Sequence, residues 1–155
     1  MTSFKKYIDR LKSQYAREIT ALITGASSGM GLLYAKYLAE ADCNLLIVSN
    51  QEKELNEVAD DIRKEFGVNV IARYQDLSQE DAAQHLFDYC KKENVIIDIL
   101  INNAGMFFFH ELDDEYHKKM ELMLNLHVMT PSKISRLFGD EMKKRGFGHI
   151  VLVSS

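Results

Sequence analysis

Thr24-Gly25-Ala26-Ser27-Ser28-Gly29-Met30-Gly31 stands between an apolar run, ITALIT at 19–24, and a segment in which Leu32, Leu33, Ala35, Leu38 and Ala39 recur at helical spacing. A strand, a glycine-rich turn and a helix in that order set the unpaired N–H groups and positive dipole end of a helix N-terminus above the end of a strand. That arrangement suits a pyrophosphate. The three glycines have separate tasks: Gly25 allows the sharp exit from the strand, Gly29 lets the backbone approach a phosphate closely, and Gly31 lets the helix pack tightly on the strand.

The same alternation continues on the C-terminal side. Apolar runs recur at 44–49 (NLLIVS), 68–73 (VNVIAR), 95–101 (VIIDILI) and 149–154 (HIVLVS), rich in Ile, Val and Leu and without clean polar alternation, as expected of strands covered on both faces. Between them, Leu55, Val58, Ala59, Ile62 and Phe66 mark a second helix that stops at Gly67. Ser78, Glu80 and Asp81 suit the start of a third, whose Ala82, Ala83, Leu86, Phe87 and Cys90 face the sheet. The longest helix runs from about 113 to 145, with Pro131 predicting a kink or break and Gly146 a stop. Four strand-helix units and a fifth strand predict an α/β fold, a Rossmann-like doubly wound parallel sheet with right-handed crossovers.

With 155 residues, the chain is long enough for one domain with a hydrophobic core and too short for two. Its 46% hydrophobic and 27% charged content is that of a globular protein, and a net charge of -4 offers no electrostatic footprint for nucleic acid. No apolar stretch approaches the roughly 18 residues of a membrane span, and the charged N-terminus is unlike a signal peptide, so no membrane association and a cytoplasmic location are expected. Cys43 and Cys90 lack any zinc spacing and read as free thiols; no metal site is expected. Residues 1–18 form a separate N-terminal amphipathic helix, with Phe4, Tyr7, Ile8, Leu11 and Tyr15 on a stripe that needs a partner in its own domain or a second subunit. The nucleotide-binding domain occupies 19–155.

The TGxxxGxG spacing resembles that of the short-chain dehydrogenase/reductase family. The likeness continues through Asp76-Leu77, Asn102-Asn103-Ala104-Gly105, Asn125 in the long helix, and GHIVLVSS from Gly148, so that motifs in the family's order cover nearly all of 19–155. The resemblance implies a nicotinamide cofactor contacted by Gly25, Ser27, Ser28, Gly29, Met30 and Gly31. Asp76 would accept from the adenine amino group, or alternatively cap the next helix, and Leu77 would meet the adenine ring. Asn103, Ala104 and Gly105 would lie along the ribose, whereas Asn102 reads as a buried amide tying neighbouring strands. Asp98, just before its strand, reads equally well as a solvated turn residue and is left outside the site.

By the same resemblance, Asn125 distorts the long helix and holds a water of the proton relay. Ser155, seven residues after Gly148 and next to Ser154, positions the substrate oxygen. Met120, Met123, Leu124 and Met129 are expected in core or subunit-interface packing, and in the second case 113–145 is the candidate surface for a homo-oligomer. His110, His117 and His127 are read as surface or packing residues. The second strand ends in Ser49-Asn50-Gln51, where an acid would select NAD by binding the ribose 2′-hydroxyl; with no carboxylate to repel a 2′-phosphate, NADP is favoured over NAD.

The implied activity is hydride transfer between the nicotinamide and a small carbonyl or alcohol substrate. The family's Tyr-x-x-x-Lys pair does not occur within the 155 residues, so this polypeptide alone is expected to be inactive. The alternative is a non-catalytic nucleotide-binding or interaction module.

Overall fold

The computed structural model describes residues 2–106, 108 and 116–154. Five strands, β1 (Thr20–Thr24), β2 (Asn44–Ser49), β3 (Val70–Tyr74), β4 (Ile99–Asn102) and β5 (His149–Leu152), form one sheet in the order β3-β2-β1-β4-β5. Every pairing is parallel, with Leu22 beside Leu46 on one flank of β1 and Leu100 on the other. The strand order reverses at β1. A crevice therefore opens above the C-terminal ends of β1 and β4, where the following connections diverge to opposite sides of the sheet.

Alternation along the strands divides the core into two layers. Ala21, Ile23, Leu45, Ile47, Ile99 and Ile101 face α1 (Ser3–Tyr15), α2 (Gly29–Glu40) and α3 (Glu52–Phe66). Leu22, Leu46, Val48 and Leu100 face α4 (Ala82–Lys92) and α6 (Thr130–Arg145), which contribute Leu86, Cys90, Ile134, Phe138 and Met142. In α2 the buried positions are Gly31, Ala35, Leu38 and Ala39, the spacing of one helical face, so Leu33 of the expected apolar stripe points outward.

Helix α1 joins the first layer through fully buried Ile8 and nearly buried Leu11. Phe4 stacks on Tyr37 of α2, and the Tyr7 hydroxyl lies 2.8 Å from His149 Nε2 on β5. The chain leaves α1 through Ala16 in a left-handed conformation, and Arg17 then reaches Asp98 with two bonds of 2.7 and 2.6 Å. Asp98 is fully buried and also accepts from the Thr20 amide at 3.1 Å, so it is a structural anion and not a solvated turn residue.

The structure revises several other boundaries. Helix α4 starts at Ala82, four residues beyond Ser78, because the Asp76 carboxylate captures the Ser78 amide and hydroxyl at 2.9 and 2.7 Å and makes a local turn. Strand β4 begins only at Ile99: left-handed Asn94 ends the turn after α4, and residues 95–97 bring the chain to the sheet. Asn102 ties β4 to a helix and not to a neighbouring strand, since its Nδ2 donates to Ser135 Oγ on α6 at 3.0 Å.

The long helix has no break at Pro131. It passes from α5 (Tyr116–Leu124) through a π turn (Asn125–Met129) into α6, with Pro131 in the first turn of α6, where a missing N–H is tolerated. The irregularity lies just before the proline, where the Thr130 amide donates back to the Asn125 carbonyl. The expected beginning at 113 lies outside the described residues. Met120, Leu124 and Met129 are 39%, 51% and 48% exposed, which rules out core packing for them. Among the described residues, no helix is long and apolar enough to cross a membrane.

Candidate functional site

A cleft of about 550 Å³ lies at the switch point above β1 and β4. One wall is the glycine turn with Gly25, Ser27, Ser28 and Met30; the opposite wall is the loop Asn103-Ala104-Gly105-Met106. Ser49, Asn50 and Gln51 close it at the end of β2, and Gln75, Asp76 and Leu77 at the end of β3. Leu126 and His127 of the π turn and Val153 and Ser154 after β5 complete it.

The turn needs its glycines for different reasons. Gly25 has φ +68°, and a Cβ there would stand 2.8 Å from Cα of Ala104, so a side chain would force the two walls apart. A Cβ on Gly31 would lie 2.1 Å from the Gly25 carbonyl oxygen, a position that only glycine permits. At Gly29, with φ +55°, a Cβ would meet no protein atom within 4 Å. The three glycines and Ser28 bring the start of α2, whose first amides have no intrahelical partner, against a backbone-lined surface. Such a cradle fits a dinucleotide pyrophosphate.

The two walls are bolted together at the floor. Thr24 Oγ1 accepts from the Asn103 and Ala104 amides at 3.0 Å each. Asn103 Nδ2 donates to the Thr24 and Gly25 carbonyls at 3.2 and 3.3 Å. The Asn103 side chain therefore holds the glycine turn, leaving the loop backbone and Ala104 to face the cleft. The part played by buried Thr24 was not drawn from the sequence, although the residue belongs to the quoted turn.

At the β2 end, Ser27 Oγ lies 2.9 Å from Ser49 Oγ and donates to Gln51 Oε1 at 3.2 Å, while the Gln51 amide donates to Ser49 Oγ at 3.1 Å. This corner has hydroxyl and amide groups and exposed Asn50, with no carboxylate. Asp76 lies further along. Burial would raise its pKa, but bonds from Ser78 and Gln79 outweigh burial and hold it below the ordinary carboxylate value. Both of its oxygens are thus engaged in its own turn and do not cap α4, whose N-cap is Asp81, while the residue still lines the cleft.

Of the residues singled out in the sequence, Gly25, Ser27, Ser28, Met30, Asn50, Asp76, Leu77, Asn103, Ala104 and Gly105 line the cleft together. Gly31 packs beneath the turn against the Gly25 carbonyl, while exposed Gly29 opens α2 between the lining residues Ser28 and Met30. Asn125 opens the π turn, half-buried and beside the lining residues Leu126 and His127, and its side-chain amide makes no hydrogen bond among the described residues. Ser155 lies outside the described residues, whereas Ser154 lines the cleft. Gln75, Met106 and His127 were missed, because only the chain's path past the strand ends brings them here, whereas Ser49 and Gln51 join the cleft with Asn50 from the quoted end of the second strand. Among the described residues, no cluster of three or more His, Cys, Asp or Glu side chains could hold a metal.

A family model described as short chain dehydrogenase matches residues 19–155. An uncharacterized oxidoreductase of Mycobacterium bovis is 36% identical over 138 residues, covering 86% of this chain and 40% of the relative. The bulky-bulky ketone specific alcohol dehydrogenase from Comamonas testosteroni is similar in structure with a TM-score of 0.81 and 30% identity, over 88% of this chain and 54% of that one. A short-chain dehydrogenase from Sphingobium yanoikuyae in complex with NADPH matches with a TM-score of 0.78 and 30% identity, over 85% and 51%. The chain thus spans less than half the length of that curated relative and about half of these solved structures.

Proposed function

The chain belongs to the short chain dehydrogenase family of oxidoreductases, and from that premise we propose that it supplies the nicotinamide-binding part of a reductase or dehydrogenase acting on a carbonyl or alcohol. The observation that carries this reading is the cleft itself. A glycine turn at a helix N-terminus faces the Asn103–Met106 loop across the switch point of a parallel sheet.

In this reading, the first turn of α2 binds the pyrophosphate and the Asn103–Gly105 backbone lies along a ribose. Asp76 and Leu77 bound the adenine. The corner of Ser27, Ser49, Asn50 and Gln51 receives the 2′-phosphate of NADP through neutral donors, and the NADPH-bound relative supports NADP over NAD as the preferred cofactor. When bound, the nicotinamide supplies or accepts the hydride. Asn125 at the π turn and Ser155 are assigned to a water and to the substrate oxygen. The exposed face of Met120, Leu124 and Met129 is assigned to contact with a second copy.

Proton transfer needs a further group. Within these residues no tyrosine precedes a lysine by four positions, and general acid–base catalysis contributes about a hundredfold to ten-thousandfold in rate. The 155-residue chain alone is therefore expected to bind cofactor without turnover. NAD(P)H oxidation across a broad carbonyl panel is the test, and substrate-dependent turnover by this chain would show that its proton donor had been misplaced.

A further inference from the structure

The π turn carries a second side chain that faces the cleft. A Cβ on Gly105 would stand 2.9 Å from Cε1 of His127, so the imidazole fills the space that a side chain at 105 would take. Its Nε2 lies 3.1 Å from the Met106 amide nitrogen and 2.7 Å from the Met106 carbonyl oxygen. An unprotonated Nε2 accepts from the amide, and a protonated one donates to the carbonyl. Either tautomer holds Met106.

We infer that His127 is a positioning residue for the cofactor: it fixes the far end of the Asn103–Met106 wall against the π turn, as Thr24 fixes the near end. Strand β4 ends at Asn102, so the wall has no sheet partner of its own and takes its position from these two anchors. Gly105, between them, presents only backbone to the cleft. Because His127 and Asn125 share the π turn, the same contact sets the distance between the ribose wall and the assigned relay amide. The inference rests on the nicotinamide reading of the cleft.

The test compares NADPH binding by calorimetry for the 155-residue chain and for His127→Ala, His127→Asn and His127→Gln, with melting temperatures measured alongside. A Gln amide reaches as far as Nε2 and can donate or accept; an Asn amide stops near the Nδ1 position. His127→Ala and His127→Asn are expected to bind about tenfold more weakly, as loss of one net hydrogen bond implies, and His127→Gln to recover to within about threefold of wild type. All four should melt at similar temperatures, since His127 is exposed. Unchanged affinity in His127→Ala, or a loss in His127→Gln equal to that in His127→Ala, overturns the positioning role while leaving the cofactor reading intact. Failure of the wild-type chain to bind NADPH overturns both.

Discussion

Cys43 and Cys90 lie in opposite core layers, and burial pushes each thiol up to about 12. An unfolded thiol ionises near about 8.5, so the folded state retains these protons where the unfolded state loses them. Their contribution to stability is complete below that value and is lost as pH rises toward 12. The melting temperature of the wild type should therefore fall more steeply above about pH 9 than that of a Cys43→Ala/Cys90→Ala variant, and an aromatic disulfide reagent should label neither thiol until the protein unfolds. At the cleft, Asn50→Asp places a carboxylate where the 2′-phosphate is assigned and offers an acceptor to a free 2′-hydroxyl. Titrations should give the wild type a modest preference for NADPH and the variant a preference for NADH; tighter NADH binding by the wild type would contradict the assignment. The free thiols and cleft glycines were legible because their chemistry is local. The turn-holding role of the Asn103 amide was not, because only the folded contact with Thr24 and Gly25 shows it.

At the scale of elements, α1 is fastened as well as packed. Ile8 and Leu11 bury its stripe, and the Arg17–Asp98 pair ties the following loop to β4. Arg145 stands 3.9 Å from the same carboxylate, so one buried anion serves two cations. Removing it in Asp98→Ala leaves the Arg17 and Arg145 guanidinium groups without their shared counter-ion, each still hydrogen-bonded to a backbone carbonyl, that of Glu18 and of Ile97. Urea unfolding should show a loss of about 3–5 kcal/mol, and a loss under about 1 kcal/mol would mean the pair is incidental. The strands were readable because continuous Ile, Val and Leu runs mark sheets covered on both faces. Their ends were less so: the onset of α4 depends on a side chain six residues upstream of it, and β4 on a left-handed Asn94. Pro131 signalled an irregularity correctly in kind, but backbone bonding moved it into the preceding π turn.

Over the whole molecule, the sheet order puts β1 at the centre and both the glycine-turn wall and the Asn103–Met106 wall at its C-terminal end. Strand β5 is the edge of the sheet among the described residues, with Ile150, Val151 and Leu152 each at least 40% exposed. The cleft is nevertheless assembled from β1 through the π turn, with Val153 and Ser154 at its rim. On the proposed reading, nucleotide binding uses this cleft alone, so it is expected to be separable from turnover in this chain. Calorimetric titration of NADPH into the wild type and Gly29→Ala is the most direct test, because a methyl group at position 29 meets no protein atom within 4 Å and would enter the space assigned to the pyrophosphate. The left-handed backbone at Gly29 should reduce the variant's stability by about 1–2 kcal/mol, leaving it folded. Saturable one-site binding by the wild type and at least about a tenfold loss in Gly29→Ala are expected; no binding by a folded wild-type chain at millimolar NADPH or NADH, or equal binding by the variant, would overturn the cofactor assignment.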